Sequence, residues 1–136
     1  MLAKTPFSGD PLILALAAVA YLQFKHFICD FVLQLPYQYL NKGKYGHPGG
    51  ILHAAIHAAA SYLLIFFYAP SFGFGIAIVA AEFIVHYHID WTKELIVRRT
   101  GWQTANAGFW WSLGIDQLLH QWTYVAMVAI LAGKLG

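Results

Sequence analysis

Pairs of ionisable side chains recur along otherwise apolar stretches of this sequence, always at a spacing of four residues. Each pair joins two histidines or one histidine and one aspartate: His26 with Asp30, His53 with His57, His86 with Asp90, and Asp116 with His120. Residues four apart on an α-helix lie on the same face, one turn apart. If these stretches are helical, each pair therefore presents two potential ligands, or two proton-transfer groups, on one side of its helix.

Imidazole and carboxylate groups occur together in divalent-metal sites and in proton relays. Neutral histidine and ionised aspartate ligate zinc, iron and manganese, whereas in a relay the two groups titrate or orient each other. The sequence favours the metal site, because the three paired aspartates have only Lys25 and Lys93 as nearby cations and a divalent ion would offset their charge. We predict a divalent-metal cofactor, with zinc as the first choice and iron or manganese as alternatives.

All eight paired residues are candidate metal ligands. They are His26, Asp30, His53, His57, His86, Asp90, Asp116 and His120. Asp30 and His53 are also the candidate catalytic residues, since an aspartate or histidine that does not bind the metal can act as a general base. Three further polar residues are predicted to contact a substrate headgroup: Gln34, Lys93 and Gln117. Glu82, four residues before His86, would lie on the same helix face as His86 and Asp90 and is a further candidate.

The composition is that of a membrane protein. Hydrophobic residues make up 60% of the 136 residues and charged residues only 10%, against roughly 25% charged residues in a typical soluble domain. A chain this small has a high surface-to-volume ratio and would need more polar residues to cover itself in water. With a formal net charge of +2, the sequence excludes a soluble domain, a disordered chain and a nucleic-acid binder. The single cysteine, Cys29, excludes a disulfide framework and a zinc site built from thiolates.

Four apolar stretches are long enough to cross a hydrocarbon core of about 30 Å, which takes roughly 20 helical residues. Only helices and closed barrels satisfy their backbone hydrogen bonds in lipid, and these stretches lack the alternating pattern of strands. The sequence thus predicts an all-α, polytopic membrane protein, with four transmembrane helices in one bundle domain over residues 1–136. The predicted helices cover about residues 11–34, 51–68, 74–93 and 109–132.

The distribution of basic residues predicts the orientation in the membrane. The two longer loops carry five basic residues and the opposite side carries two: Lys42, Lys44, Lys93, Arg98 and Arg99 against Lys4 and Lys134. The positive-inside rule places the longer loops in the cytoplasm, so we expect a multi-pass protein with both termini on the outer side of the membrane. Because the chain alternates direction, all four pairs fall in the cytoplasmic half, where the facing helices of a bundle can build one site.

These segments resemble a family of small bacterial integral-membrane proteins that is catalogued as domain of unknown function 3307. The likeness is carried by H-x3-D-F-x-L-Q at residues 26–34, by D-Q-x2-H at residues 116–120, and by Ile89-Asp90 followed by Lys93. It spans about residues 21–127 and implies a multi-pass protein of the bacterial inner membrane, with both termini then in the periplasm, without naming a reaction. A more distant similarity to inner-membrane metal-dependent hydrolases implies metal-assisted hydrolysis. The histidine boxes of membrane desaturases are not matched, because the H-x2-H-H clusters are missing.

Three functions from different classes stay open at this point. The first is hydrolysis of a lipid-linked or membrane-proximal substrate by water that a bound metal activates. The second is a non-catalytic subunit that binds haem or a pigment or docks in a larger complex, and the third is proton or ion translocation. In the remaining alternative the polar pairs bind no ligand and form a structural hydrogen-bond network between the helices. Membrane lipids are the expected surroundings, with a homo-oligomer or a larger membrane complex as possible assemblies.

Overall fold

The computed structural model describes residues 10–135, and helices make up most of this segment. Helix α1 comprises Pro11–Phe27 and continues as a π-helical turn at Ile28–Val32. The remaining helices are α2 at Pro36–Tyr39, α3 at Pro48–Tyr68, α4 at Phe72–Thr100 and α5 at Ala107–Leu135. The predicted all-α class is confirmed, and residues 10–135 contain no strand. Of the basic residues behind the predicted orientation, Lys4 and the side chain of Lys134 lie outside the described part of the chain.

The helix ends follow local sequence signals. Asp10 caps α1, since its carboxylate accepts a hydrogen bond of 2.8 Å from a backbone N–H of the first turn, and Pro11 occupies the first helical position, which needs no N–H donor. His47 caps α3 through Nδ1, which accepts a hydrogen bond from the Gly49 N–H. Gly101 ends α4 in the left-handed conformation, at φ 68°, which glycine adopts without steric penalty.

Three helical segments are long and apolar enough to cross a membrane, namely Pro11–Val32, Pro48–Tyr68 and Phe72–Thr100. The sequence also predicts a span in α5, which is as long as α4. Helix α5 is not among the three, because polar side chains interrupt the apolar sequence of its first half. These are Asp116, Gln117, His120 and Gln121.

The four long helices form a bundle in which α3 packs on α4, α4 on α5, and α1 on both α5 and α3. One half of the bundle interior is apolar. Its buried residues are Ala18, Leu22, Ile65, Ile78, Tyr124, Met127, Val128 and Leu131. Buried histidines and aspartates fill the other half. The outer surface is also apolar, with Phe24, Phe66 and Trp122 more than half exposed, as suits a bundle surrounded by lipid tails.

The loop between α1 and α3, residues 33–47, folds back onto the bundle. Its helix α2 packs on α3. Arg98 donates a hydrogen bond of 2.6 Å to the Leu40 carbonyl oxygen, and a backbone N–H of the loop donates one of 2.6 Å to the Tyr87 hydroxyl. These contacts hold the α1–α3 loop over the polar half of the bundle and bring Lys42 inside it.

Candidate metal centre

The four His/Asp pairs meet in the polar half of the bundle, one pair from each long helix. The ring centroids of His57 and His86 are 3.9 Å apart, those of His86 and His120 4.2 Å, and those of His53 and His57 4.6 Å. None of these four rings belongs to a residue that is more than 1% exposed. Side chains that are distant in sequence thus converge on one buried cluster, as the spacing and the alternating chain direction led us to expect.

Asp30 lies among three imidazoles. Its Oδ1 is 2.9 Å from His53 Nε2 and 3.2 Å from His57 Nε2, and its Oδ2 is 3.0 Å from His26 Nε2. The carboxylate therefore connects α1 with α3 through both histidines of the α3 pair. It accepts a hydrogen bond from His57 in this arrangement.

The backbone around Asp30 is a single π-helical turn. The Leu33 N–H donates to the Ile28 carbonyl oxygen, five residues earlier, at 2.9 Å. Turns of this kind inside or at the end of α-helices occur frequently at functional sites, since the extra residue changes the direction of the neighbouring side chains. In this chain the π turn carries the carboxylate that contacts three histidines.

Asp90 has the corresponding position on α4. Its Oδ2 is 3.3 Å from His53 Nε2 and 3.4 Å from His86 Nε2, and its Oδ1 is 3.9 Å from His120 Nε2. His53 thus lies between Asp30 and Asp90. The two carboxylates and the imidazoles form one continuous polar cluster across all four long helices.

Two sets of these side chains are positioned to hold a metal ion. The first consists of Asp30, His53, His57 and His86, and the second of His86, Asp90 and His120. Within each set the ligand atoms lie within 4.8 Å of one another. Two ligands of a tetrahedral zinc ion, with bonds of about 2.1 Å, lie about 3.4 Å apart, so the most distant of these atoms would have to approach by about 1.4 Å to bind one ion.

The free nitrogen atoms of the histidines fit this role. Nε2 of His53, His86 and His120 is buried and has no aligned hydrogen bond within residues 10–135, although each lies within 4 Å of a carboxylate oxygen. On His120 the other ring nitrogen, Nδ1, lies 2.8 Å from the Asp116 carbonyl oxygen. An Nδ1–H that donates to this carbonyl leaves the Nε2 lone pair available, which is the usual arrangement of a metal-binding histidine.

Two of the eight predicted ligands lie beside these sets and outside them. His26 Nδ1 lies 2.8 Å from the Tyr124 hydroxyl, and its Nε2 lies 3.1 Å from Gln117 Oε1 as well as close to Asp30. Asp116 accepts a hydrogen bond from Gln117 through Oδ2. These residues contact the cluster at its edge, and the other six predicted ligands form the two sets.

The three predicted headgroup residues have different surroundings. Gln34 donates a hydrogen bond of 2.7 Å to the Asp30 carbonyl oxygen, and Gln117 bridges His26 and Asp116 as described above. Lys93 is half-buried and pairs with Glu94 at 2.7 Å. Gln34 and Gln117 therefore contact the cluster directly, whereas Lys93 lies on the outer side of α4, along a groove described below.

A comparison with protein families identifies the chain. A model of the family described as "Protein of unknown function (DUF3307)" matches residues 18–135. The chain belongs to DUF3307. The family resemblance seen in the sequence is thereby confirmed, and the family description assigns no activity. No curated protein and no solved structure gives a significant match, so the distant similarity to membrane hydrolases has no support from these comparisons.

One member of the cluster in this DUF3307 chain is absent from the sequence prediction. Lys42 of the α1–α3 loop is buried, with Nζ 3.0 Å from Asp90 Oδ2 and 4.0 Å from Asp30 Oδ1. Burial lowers the pKa of the Lys42 ammonium, but Asp90 and Asp30 outweigh this effect and raise the pKa above its ordinary value. The expectation that only Lys25 and Lys93 accompany the carboxylates is therefore wrong. No spacing rule connects a loop lysine with Asp90, so only its place in a basic loop marks it in the sequence.

A second buried ion pair lies next to the cluster in the DUF3307 bundle. Lys25 Nζ is 2.6 Å from Glu82 Oε1 and donates a hydrogen bond of 3.1 Å to the His57 carbonyl oxygen. The ammonium group also lies 4.6 Å from the centroid of the Tyr124 ring. Glu82, expected as an extension of the ligand stripe, thus serves as the counter-ion of Lys25.

Proposed function

We propose that this protein crosses the bacterial inner membrane four times and holds a divalent metal ion between its helices, which it uses to hydrolyse a lipid-linked or membrane-proximal substrate. Helix α5 is the fourth span in this proposal, since its polar first half faces the cluster and its second half contributes to the apolar core. One observation carries the proposal: buried Nε2 atoms that have no aligned hydrogen-bond partner lie together with two aspartates in one cluster inside the bundle.

A purely structural hydrogen-bond network fits the cluster less well. Buried polar atoms in native proteins nearly always have hydrogen-bond partners, because an unpaired one costs roughly 1–3 kcal/mol. Both ring nitrogens of His53 and of His86 have no aligned partner among the described residues. A cation at the centre of the cluster would bind these nitrogen atoms and would also offset the charge of Asp30 and Asp90.

The geometry also favours a metal ion over haem or a pigment. A planar macrocycle held by a histidine needs open space on the side of the ring that carries the ligand nitrogen. The ring centroids of His57 and His86 are only 3.9 Å apart, and His120 lies 4.2 Å beyond His86. Imidazoles packed at these distances can share an ion but leave no gap for a porphyrin between them.

The residues of the cluster suggest how hydrolysis would proceed. When bound, a divalent ion supplies polarisation of the scissile group and lowers the pKa of a water molecule toward 7. Asp30 and His53 are in contact, and whichever of the two does not bind the ion is the candidate general base. The Lys42 ammonium, 3.0 Å from Asp90, is placed to pair with a negatively charged substrate oxygen.

The decisive experiment compares two histidines on the same helix. His86 belongs to both ligand sets, whereas His88, two residues later, is exposed and lies 3.2 Å from the Tyr45 hydroxyl. We expect detergent-purified wild type and His88→Ala to contain about one equivalent of zinc, iron or manganese by mass spectrometry, and His86→Ala to contain almost none. Asp30→Asn, which keeps the side-chain volume, should also lose metal. Metal-free wild type that remains helical by circular dichroism would refute the metal site.

Hydrolysis has its own test. Purified protein would be reconstituted in vesicles of bacterial polar lipids, and the lipids would be followed by mass spectrometry with and without a chelator. We expect metal-dependent appearance of a cleaved lipid with wild type and none with Asp30→Asn. A metal-loaded protein that cleaves no lipid would overturn the hydrolase assignment and leave the metal site standing.

A further inference from the structure

The outer faces of α4 and α5 enclose a groove of about 650 Å³. This volume is within the usual range of ligand pockets, roughly 300–1,000 Å³. Most of the lining surface is apolar, and its aliphatic residues include Val85, Ile89, Ile115 and Leu119. In a membrane such a groove is filled by hydrocarbon chains, so we expect a lipid to occupy it.

Polar and aromatic residues mark one end of the groove. Lys93 and Trp102 lie at the end next to the α4–α5 connection, where α4 ends and α5 begins. Tryptophan rings are favoured at the depth of lipid headgroups, and a lysine there can pair with a phosphate. The aliphatic residues continue from this end toward the middle of both helices. The groove therefore has an apolar channel for a chain and a polar end, where the Lys93 ammonium, now 2.7 Å from Glu94 Oε1, would pair with a phosphate in place of that carboxylate.

Asp116 connects the groove with the metal centre. Asp116 lines the groove, and its Oδ1 is 3.9 Å from Nδ1 of His120. The same oxygen is buried and has no hydrogen bond within the described residues. A headgroup near Lys93 would thus lie close to Asp116, which in turn lies next to His120 of the second ligand set.

We propose that the groove between α4 and α5 binds an acyl chain of a phospholipid and places its phosphate near Lys93, beside Asp116. This inference rests on the proposed function, for which it names the substrate class: a phospholipid that approaches the metal centre sideways from the bilayer. The chain fills the aliphatic part of the groove, and the headgroup carries the bond to be cleaved.

The test uses two neighbouring leucines on α5. Leu119 lines the groove and Leu118 does not, while both are about 40% exposed. Wild type, Leu119→Trp and Leu118→Trp would be reconstituted with a phosphatidylglycerol that carries a diazirine in one acyl chain. After irradiation, we expect labelled α4 and α5 peptides in wild type and Leu118→Trp, and at least fivefold less label in Leu119→Trp. A diazirine-bearing diacylglycerol with the same chains tests the phosphate contact, because Lys93→Gln should lower labelling by the phospholipid and leave that by diacylglycerol unchanged.

The metal content of the same samples separates the two proposals. Leu119→Trp should retain metal, since Leu119 belongs to neither ligand set. Equal labelling of Leu119→Trp and wild type, or label spread evenly over the outer faces of α1 and α3, would overturn the groove as a lipid site whatever the metal content. Wild type without metal that still labels at the groove would refute the metal centre and leave a lipid-binding groove.

Discussion

The Lys42 ammonium nitrogen lies 3.0 Å from Asp90 Oδ2 and 4.0 Å from Asp30 Oδ1, so that one loop cation contacts both aspartates of the cluster. These carboxylates are also members of the two candidate ligand sets. A divalent ion bound by them would have a like charge as its neighbour, and repulsion between charges at such distances amounts to several kcal/mol at the effective dielectric constant of a protein. Lys42 therefore offsets part of the charge of the two carboxylates and competes with a metal ion for them.

Replacement of Lys42 by glutamine should strengthen metal binding. We expect Lys42→Gln to bind Zn²⁺ and Mn²⁺ about tenfold more tightly than wild type, because the repulsion is removed and only part of it is avoided by movement of the lysine. Lys44→Gln is the matched control, since Lys44 belongs to the same loop but is exposed and bonded to Asn41. Competition titration against a chelator measures both. Weaker binding by Lys42→Gln would mean that the lysine supports the metal site instead of competing with it.

The contact of His26 with Asp30 gives a second prediction. Because His26 lies outside both ligand sets and is 3.0 Å from Asp30 Oδ2, it should orient the aspartate without binding the metal. Residues of this kind typically contribute 10–100-fold to metal affinity. We expect His26→Ala to retain metal with affinity lowered about tenfold, as measured by equilibrium dialysis, while His86→Ala binds none. Equally complete loss in both variants would make His26 a ligand.

Part of the site could be predicted from the sequence because helical geometry relates residues four apart. His86 and Asp90 share a face of α4 in any α-helix, and alternating chain direction gives the pairs similar depth. The rotation of each helix about its axis is not encoded in this way. Lys25 is adjacent to His26 in sequence, yet it meets Glu82 of α4 only because α1 packs in one particular orientation against α3 and α5. Lys42 depends on a loop that folds inward through tertiary hydrogen bonds, which no local pattern reveals.

The Lys25–Glu82 pair is expected to stabilise the bundle only while both partners are present. Both side chains are at most 4% exposed, and removal of one partner from a buried ion pair typically costs about 3–5 kcal/mol. Lys25→Met should therefore lower the free energy of unfolding by this amount, and the double variant Lys25→Met/Glu82→Met should recover most of it. Unfolding in mixed micelles, followed by circular dichroism, measures the difference.

The partly exposed ion pair of Lys93 and Glu94 on α4 serves as the control for that experiment. Lys93 and Glu94 are 2.7 Å apart with about a fifth of each side chain exposed, and such pairs contribute at most about 1 kcal/mol. Glu94→Gln should thus change the stability little. A double variant of Lys25 and Glu82 that is as unstable as the single one would show that the pair holds the helices in place in a way that apolar contacts cannot replace.

Whether α5 crosses the membrane can be decided by the accessibility of three positions in a Cys29→Ala background. Four crossings place the turn after α3 and the end of α5 on the periplasmic side, and the α4–α5 connection in the cytoplasm. Pro70→Cys and Gly133→Cys should therefore react with an impermeant maleimide in intact spheroplasts, and Gln103→Cys only after lysis. Gly133 is suitable because a side chain there meets no other atom within 4 Å. If Gly133→Cys reacts together with Gln103→Cys instead, α5 lies on one side of the bilayer, and the polar cluster would be closed by a helix that does not span it.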